Sequence, residues 1–205
     1  MDIKKKFFCI SSFNDNLEWF QDLDYPHIIY DKCSRGINKS KYFPKKVERS
    51  NLSKRYPNLN IIDGDIEGYN INEYLNFIIS NYEKLPENIV FIKGNIIKRH
   101  VSKEFLFKAI DNKYFTSLED WKLYKKRKDI FFNCNSFILS DGGWVEKNNN
   151  WYLNKKKHPT KYFNNFNIFM NFIFKKYINP KYIRFCPGAN YIVPKSNILK
   201  FNKQF

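Results

Sequence analysis

The stretch Asp63–Asn95, DGDIEGYNINEYLNFIISNYEKLPENIVFIKGN, reads as a loop, a helix, a turn and a buried strand. Gly68 breaks the loop. Asn70 stands at an N-cap position with Glu73 three residues later, the spacing of a capping box with Asn in the Ser/Thr place. Ile71, Tyr74, Leu75, Ile78 and Tyr82 recur at helical spacing, which predicts one apolar helix face. Lys84–Asn88, with Pro86, ends the helix. Ile89–Ile92 is a short, wholly apolar run, as in a strand covered on both faces, and Gly94 stops it. A glycine-marked loop feeding a helix presents unpaired backbone N–H groups and a positive dipole end, an anion site in principle. The neighbouring strand end is where open α/β sheets hold their ligands.

The flanking sequence extends the same alternation. Phe7–Ile10, His27–Tyr30 and Leu59–Ile62 read as strands. Ser11–Asp15 reads as a polar loop in which Asn14 or Asp15 caps a short helix carrying Leu17 and Phe20. Ser34–Asn58 is polar and basic, a long loop with room for one short helix. Downstream, Lys103–Ile110 and Ser117–Arg127 are predicted helices, Ile130–Leu139 a longer strand and Asp141–Gly143 a turn. Glu146–Pro159 is Asn/Lys-rich and predicts an exposed loop. Thr160–Tyr177 is the clearest amphipathic helix, with Phe163, Phe166, Phe169, Met170, Ile173, Phe174 and Tyr177 on one face. Asn179–Pro180 ends that helix; Tyr191–Val193 is a last strand and Lys195–Phe201 a short helix. Strand–helix–strand alternation predicts an α/β fold on a mainly parallel sheet, with a mixed second half.

At 205 residues, 43% of them apolar and 19% aromatic, the chain suits one domain with a sizeable core. Its formal charge of +16 invites a nucleic-acid reading. The charge comes from 30 Lys and only 6 Arg beside 27 Asn, a skew expected of an AT-rich coding sequence. The lysines are spread out, apart from small clusters at Lys125–Lys128 and Lys155–Lys157. They read as a solvated face, or as a basic mouth that attracts a phosphorylated small molecule. Cys9, Cys33, Cys134 and Cys186 form no CxxC pair, and His27, His100 and His158 lack zinc spacing. Cys9 and Cys134 sit in apolar runs, which predicts reduced core thiols and a reducing compartment, the cytoplasm. No apolar run approaches transmembrane length, and Phe7–Ile10 is too short for a signal peptide. There is no GxGxxG after the first strand, no GxxxxGK[ST] and no GxSxG, which counts against dinucleotide oxidoreductases, P-loop kinases and α/β-hydrolases.

Several polar groups cluster at predicted strand ends. Ser11, Ser12, Asn14 and Asp31 follow the first two strands, on the side expected for a nucleotide. Asp63-Gly64-Asp65 is a DxD triplet whose two carboxylates can share a divalent cation bridging phosphates. Lys93 and Asn95 end the buried strand and suit a diphosphate, a sugar or a metal. His100 offers a ligand or acid/base, Asp141 a general base or sugar contact, and Gly188 a close backbone approach within Cys186-Pro-Gly-Ala-Asn190. Each has a plain alternative as a turn, a cap or a solvated side chain.

Read together, several stretches resemble one family. Phe13-Asn-Asp-Asn-Leu-Glu-Trp19 resembles "YNEDLxWL", and His27-Ile-Ile-Tyr-Asp-Lys32 resembles "IIVYNKG". Gly68–Leu75, Asn81–Pro86 and Val90–Gly94 resemble "GREAxxYLxxIIxNYxxLPxxxVFxQG", and Gly188–Val193 resembles "GAQFxV". The family is one of largely uncharacterised glycosyltransferase-like domains of fungi, bacteria and large algal viruses. The match runs discontinuously from about residue 7 to residue 205 and is most specific over Gly68–Gly94. It implies a GT-A-like fold, a nucleotide-diphospho-sugar transferase domain with a mixed, mainly parallel central sheet flanked by helices. It also implies an enzyme that moves a hexose or deoxyhexose from a nucleoside diphosphate donor, UDP foremost, to a glycan or glycoprotein hydroxyl. Ser11, Ser12, Asn14 and Asp31 would then hold base and ribose. Gly68, Lys93 and Asn95 would meet the diphosphate, Asp63 and Asp65 would hold Mn²⁺ or Mg²⁺, Asp141 would be the base, and Pro187–Asn190 would frame the acceptor. More remotely, Gly188-Ala-Asn190 is similar to the "GxN" segment of inverting sugar transferases. Those enzymes carry a DxD metal motif where this chain has Lys93-Gly-Asn95, and the family's "RE" is Tyr69-Asn70 here. The chain also stops before a helix that usually follows, as the N-terminal domain of a longer protein would. Two other readings stand beside this one: a basic nucleic-acid-binding module, and a nucleotide-sugar-binding domain without catalysis.

Overall fold

The computed structural model describes residues 6–36, 46–66, 68–120, 122–123, 136–138, 144–147, 166–176, 179–186 and 188–203. Nine strands lie among them: β1 (Lys6–Ser12), β2 (His27–Asp31), β3 (Ile61–Asp63), β4 (Asn88–Lys93), β5 (Thr116–Ser117), β6 (Ser136–Ile138), β7 (Trp144–Lys147), β8 (Tyr182–Phe185) and β9 (Tyr191–Pro194). The helices are α1 (Glu18–Gln21), α2 (Leu52–Arg55), α3 (Tyr69–Ser80), α4 (Lys103–Ile110), α5 (Phe166–Phe174) and α6 (Lys195–Ile198).

Six strands form the main sheet in the order β3-β2-β1-β4-β9-β5. The β3–β2, β2–β1 and β1–β4 pairings are parallel, while β4–β9 and β9–β5 are antiparallel. The sheet is therefore mixed, not mainly parallel as expected. The difference arises because Tyr191–Pro194 returns from the far end of the chain and enters beside β4. A separate antiparallel sheet runs β6-β7-β8. It takes in Glu146 and Lys147, which the sequence assigns to a loop.

Alternation along β1, β2 and β4 divides the core. Phe8, Ile10, Ile29, Val90 and Ile92 point to one face, against Leu17 at the cap of α1 and Phe20, Leu52, Leu106 and Ile110 within α1, α2 and α4. Cys9, Ile89 and Phe91 point to the other, under Tyr74 and Phe77 of α3. The capped helix Lys103–Ile110 forms as the periodicity predicts, with the Ser102 hydroxyl accepting from the Phe105 N–H at 3.1 Å.

Helix α3 departs from its predicted phase. Its buried side is Asn70, Glu73, Tyr74 and Phe77, while Ile71, Leu75 and Ile79 are exposed. Its cap is Gly68, in the left-handed region at φ 69°, and not Asn70. The sequence around it is apolar on nearly every side, so periodicity alone left the rotation open. The predicted Ser117–Arg127 helix is also corrected at its start. Thr116–Ser117 pairs with β9, the Leu118 N–H donates to the Asn190 carbonyl, and helical geometry among the described residues appears only at Lys122–Leu123.

Three thiols, Cys9, Cys33 and Cys186, are free and buried. Burial pushes all three up, Cys33 and Cys186 to about 11. The thiolate is the nucleophile. Native protein at pH near 8 should therefore leave these three unmodified by iodoacetamide while unfolded protein is alkylated, as read by peptide mass spectrometry. Rapid native labelling of Cys186 would show that the loop beside it opens.

Candidate functional site

The carboxyl ends of β3, β2, β1 and β4 come together at one edge. From β1 the chain winds outward to β2 and β3, then crosses to the other side for β4. That reversal makes a switch point between β1 and β4, the place where open α/β sheets form a crevice. Tyr30, Ser11 and Lys93 are register partners across this end, and Asp31 and Ser12 form the next rung, with Asp63 beyond Asp31. Period-two alternation places the two rungs on opposite faces. Ser11 and Lys93 share the face of α3; Ser12 and Asp31 share the other.

The second rung builds loops. The Ser12 hydroxyl donates to Asp15 Oδ2 at 3.2 Å and accepts from the Asp15 N–H at 3.1 Å. Asp15 Oδ2 also accepts from the Phe13 N–H at 2.9 Å. Thus Asp15 closes this turn and does not cap α1, and Ser11 and Ser12 belong to the strand, not to the predicted loop. Asn14 sits at φ 61°, and its Oδ1 accepts from the Arg55 guanidinium at 2.6 Å. Asp31 is buried; its Oδ1 accepts from the Cys33 N–H at 2.9 Å, and the Ser50 hydroxyl donates to Oδ2. These contacts tie the loop after β2 and the segment before α2 to the sheet.

Asp63 and Asp65 line a cleft of about 490 Å³ with Tyr30, Lys32, Arg35 and Glu73. The Asp63 carboxylate faces Arg35 Nε at 3.6 Å, an exposed pair of little energetic weight. Asp65 is exposed, and its backbone N–H donates to Glu73 Oε1 at 2.8 Å. Among the described residues no three His, Cys, Asp or Glu side chains gather as metal ligands. Two exposed carboxylates, one of them set against a guanidinium, do not by themselves fit a divalent ion.

The first turn of α3 is fixed from two sides. Lys32 is 2% exposed; its ammonium donates to Glu73 Oε2 at 2.5 Å and to the Tyr69 carbonyl at 2.6 Å. Asn70, read as a cap, reaches away from its helix, and its amide donates to the carbonyls of Gly188 and Ala189 at 3.3 and 3.5 Å. The loop it holds closes over the end of β4. Asn190, fully buried, accepts from the Lys93 N–H at 3.0 Å through Oδ1 and from the Cys186 thiol at 3.0 Å through its carbonyl. Gly188 has φ 85°, and a Cβ there would stand 2.7 Å from both the His100 ring and the Asn190 amide nitrogen. On the opposite face a Cβ at Gly94 would meet the Asp15 carboxylate at 2.7 Å, and the Trp19 indole donates to the Gly94 carbonyl at 2.9 Å.

Within this frame, some polar capacity remains unused. Among the described residues, the Ser11 hydroxyl is buried without a hydrogen-bond partner, as is Asn95 Oδ1. The Lys93 ammonium is half-buried and makes no ion pair among the described residues. Burial, then the nearby Arg99 charge, hold its pKa below the ordinary lysine value, and Asp15 opposes the shift. A buried hydroxyl and a half-buried ammonium beside the positive end of a helix suit an anion.

The structure thus brings Ser11, Lys93, Asn95, Gly68, Gly188 and Asn190 to one end of the sheet around α3. It uses Ser12, Asn14 and Asp31 in loop construction and puts Asp63 and Asp65 on a cleft rim. Asp141 and Pro187 lie outside the described residues. Sequence reasoning missed Lys32 and Glu73. Lys32 entered only within the resemblance segment at the end of a strand, with no role assigned, and Glu73 was explained by local capping, which hid its long-range partner. No family model, curated protein or solved structure matches this chain.

Proposed function

We propose that this domain is a GT-A-like glycosyltransferase that binds a nucleoside diphosphate sugar, UDP-linked, at the switch point and passes the sugar to a glycan or glycoprotein hydroxyl. The observation that carries the reading is the half-buried Lys93 ammonium, which makes no ion pair among the described residues, beside its register partner Ser11, whose buried hydroxyl has no hydrogen-bond partner among them. The parallel order β3-β2-β1-β4 and the family resemblance of Gly68–Gly94 support it. Transfer breaks the bond between the anomeric carbon and a diphosphate oxygen, and charge grows on the leaving diphosphate. Lys93, with Arg99 nearby and the Ser11 hydroxyl, is placed to meet that charge without reorganisation. The acceptor hydroxyl must lose its proton, and Asp141 is the carboxylate the sequence offers for that step.

Calorimetry tests the reading. UDP and UDP-sugars should bind more tightly than ATP or an oligonucleotide of equal charge, and should still bind in EDTA. Lys93→Ala should weaken UDP by roughly 1.5–3 kcal/mol, about 10- to 150-fold, the worth of a charge-assisted hydrogen bond. Ligand-free melting should stay nearly unchanged, because the substitution removes a partly desolvated charge and no packing group. Equal affinity for all these anions would reduce the site to bulk charge. Unchanged UDP affinity in the variant would take the diphosphate away from β4. UDP-sugar binding with no turnover on any acceptor would make this a binding domain.

A further inference from the structure

We propose that the outer side of α3, together with α5 and the turn after α6, docks on an anionic lipid bilayer. Ile71, Leu75 and Ile79 form a straight stripe at four-residue spacing along α3, with Leu75 51% and Ile79 49% exposed. Phe172 of α5, 59% exposed, stands on the opposite side of an apolar groove of about 690 Å³ that the turn closes with Phe201. Among the described residues the groove's charged lining is Lys175 and Lys203, with no carboxylate, and the Lys175 ammonium lies 4.3 Å over the Phe172 ring. Exposed Lys176 and Lys200 extend the basic rim. Protruding apolar side chains inside a cationic rim match the interface of a bilayer with acidic headgroups. A second copy of the chain is a poorer occupant, since a twofold contact would bring two basic rims together in a molecule of formal charge +16. No helix among the described residues is long and apolar enough to cross a membrane, so the contact would be peripheral.

Vesicle flotation at physiological ionic strength tests this, with phosphatidylcholine alone against phosphatidylcholine containing phosphatidylserine. The wild-type chain should bind the serine-lipid vesicles about tenfold or more tightly, the order that two lysines near an anionic surface contribute. Leu75→Glu/Phe172→Glu should abolish flotation, and Lys175→Glu/Lys203→Glu should remove the preference for acidic lipid. Circular dichroism melts of both variants should match the wild type, since the replaced side chains are exposed. The proposal is overturned if the wild-type chain fails to float with acidic vesicles, or if folded variants float as it does. It is also overturned if sedimentation shows a dimer that Leu75→Glu/Phe172→Glu dissociates.

Discussion

Glu73→Ala is expected to lower the unfolding free energy by about 3–5 kcal/mol, a large share of what holds a domain of this size together. Lys32 and Glu73 are 2% and 1% exposed, so truncating the acid leaves an ammonium in the interior without the carboxylate that neutralises it. The same change strips the Asp65 N–H of its acceptor and loosens the entry to α3. Urea unfolding with a fixed m-value measures the loss. Lys32→Met/Glu73→Leu should recover much of it, because it removes both charges instead of orphaning one. Both single and double variants should bind UDP less tightly, since each frees the first turn of α3. A loss for Glu73→Ala below about 1 kcal/mol would mean that Lys32 reaches water when its partner goes, and would demote the pair to a surface bridge.

Gly188→Ala is expected to be nearly as damaging, for steric reasons. Its φ of 85° costs an L-residue about 1–2 kcal/mol. The new methyl would lie 2.7 Å from the His100 ring and the Asn190 amide, both buried, and overpacking of that kind adds about 1–3 kcal/mol. The relief available is movement of Asn190, which would pull its acceptor away from the Lys93 N–H and displace the carbonyls that Asn70 grips. Stability and UDP affinity should fall together, by roughly 2–5 kcal/mol in the first and measurably in the second. Adding His100→Ala to Gly188→Ala should restore part of the loss relative to the two single changes, a coupling that a double-mutant cycle isolates. Additive effects would show that the loop yields away from His100.

What the sequence made legible follows from how local each signal is. Ile89–Ile92 announced a central strand because a strand covered on both faces must be apolar throughout, and β4 lies between β1 and β9. Lys103–Ile110 was read to the residue because its apolar periodicity lies within eight consecutive positions; the Ser102 cap that starts it is a feature of the structure. Asn70 and Glu73 show the opposite case. Their spacing is that of a local cap, yet their partners are Gly188, Ala189 and Lys32, far away in the chain. Ser11 and Ser12 look alike in sequence, but strand alternation sends one toward α3 and the other into a turn with Asp15, a division that needs the register of β1. The parallel sheet predicted from strand–helix alternation failed at β9, because nothing within Tyr191–Val193 states which neighbour it joins or in which direction.

The position of β9 bears on the order in which the molecule can be made. β1 to β4 are synthesised early and can pair with one another as they emerge, but β4 gains its second neighbour only when residues 191–194 arrive, about a hundred positions later. Until then β4 is an edge strand, with the wholly apolar run Ile89–Ile92 offering unpaired N–H and carbonyl groups to any other chain. The segment that shields this edge also delivers Asn190 to the Lys93 N–H, so the nascent chain covers this exposed edge at the step that fixes the end of β4.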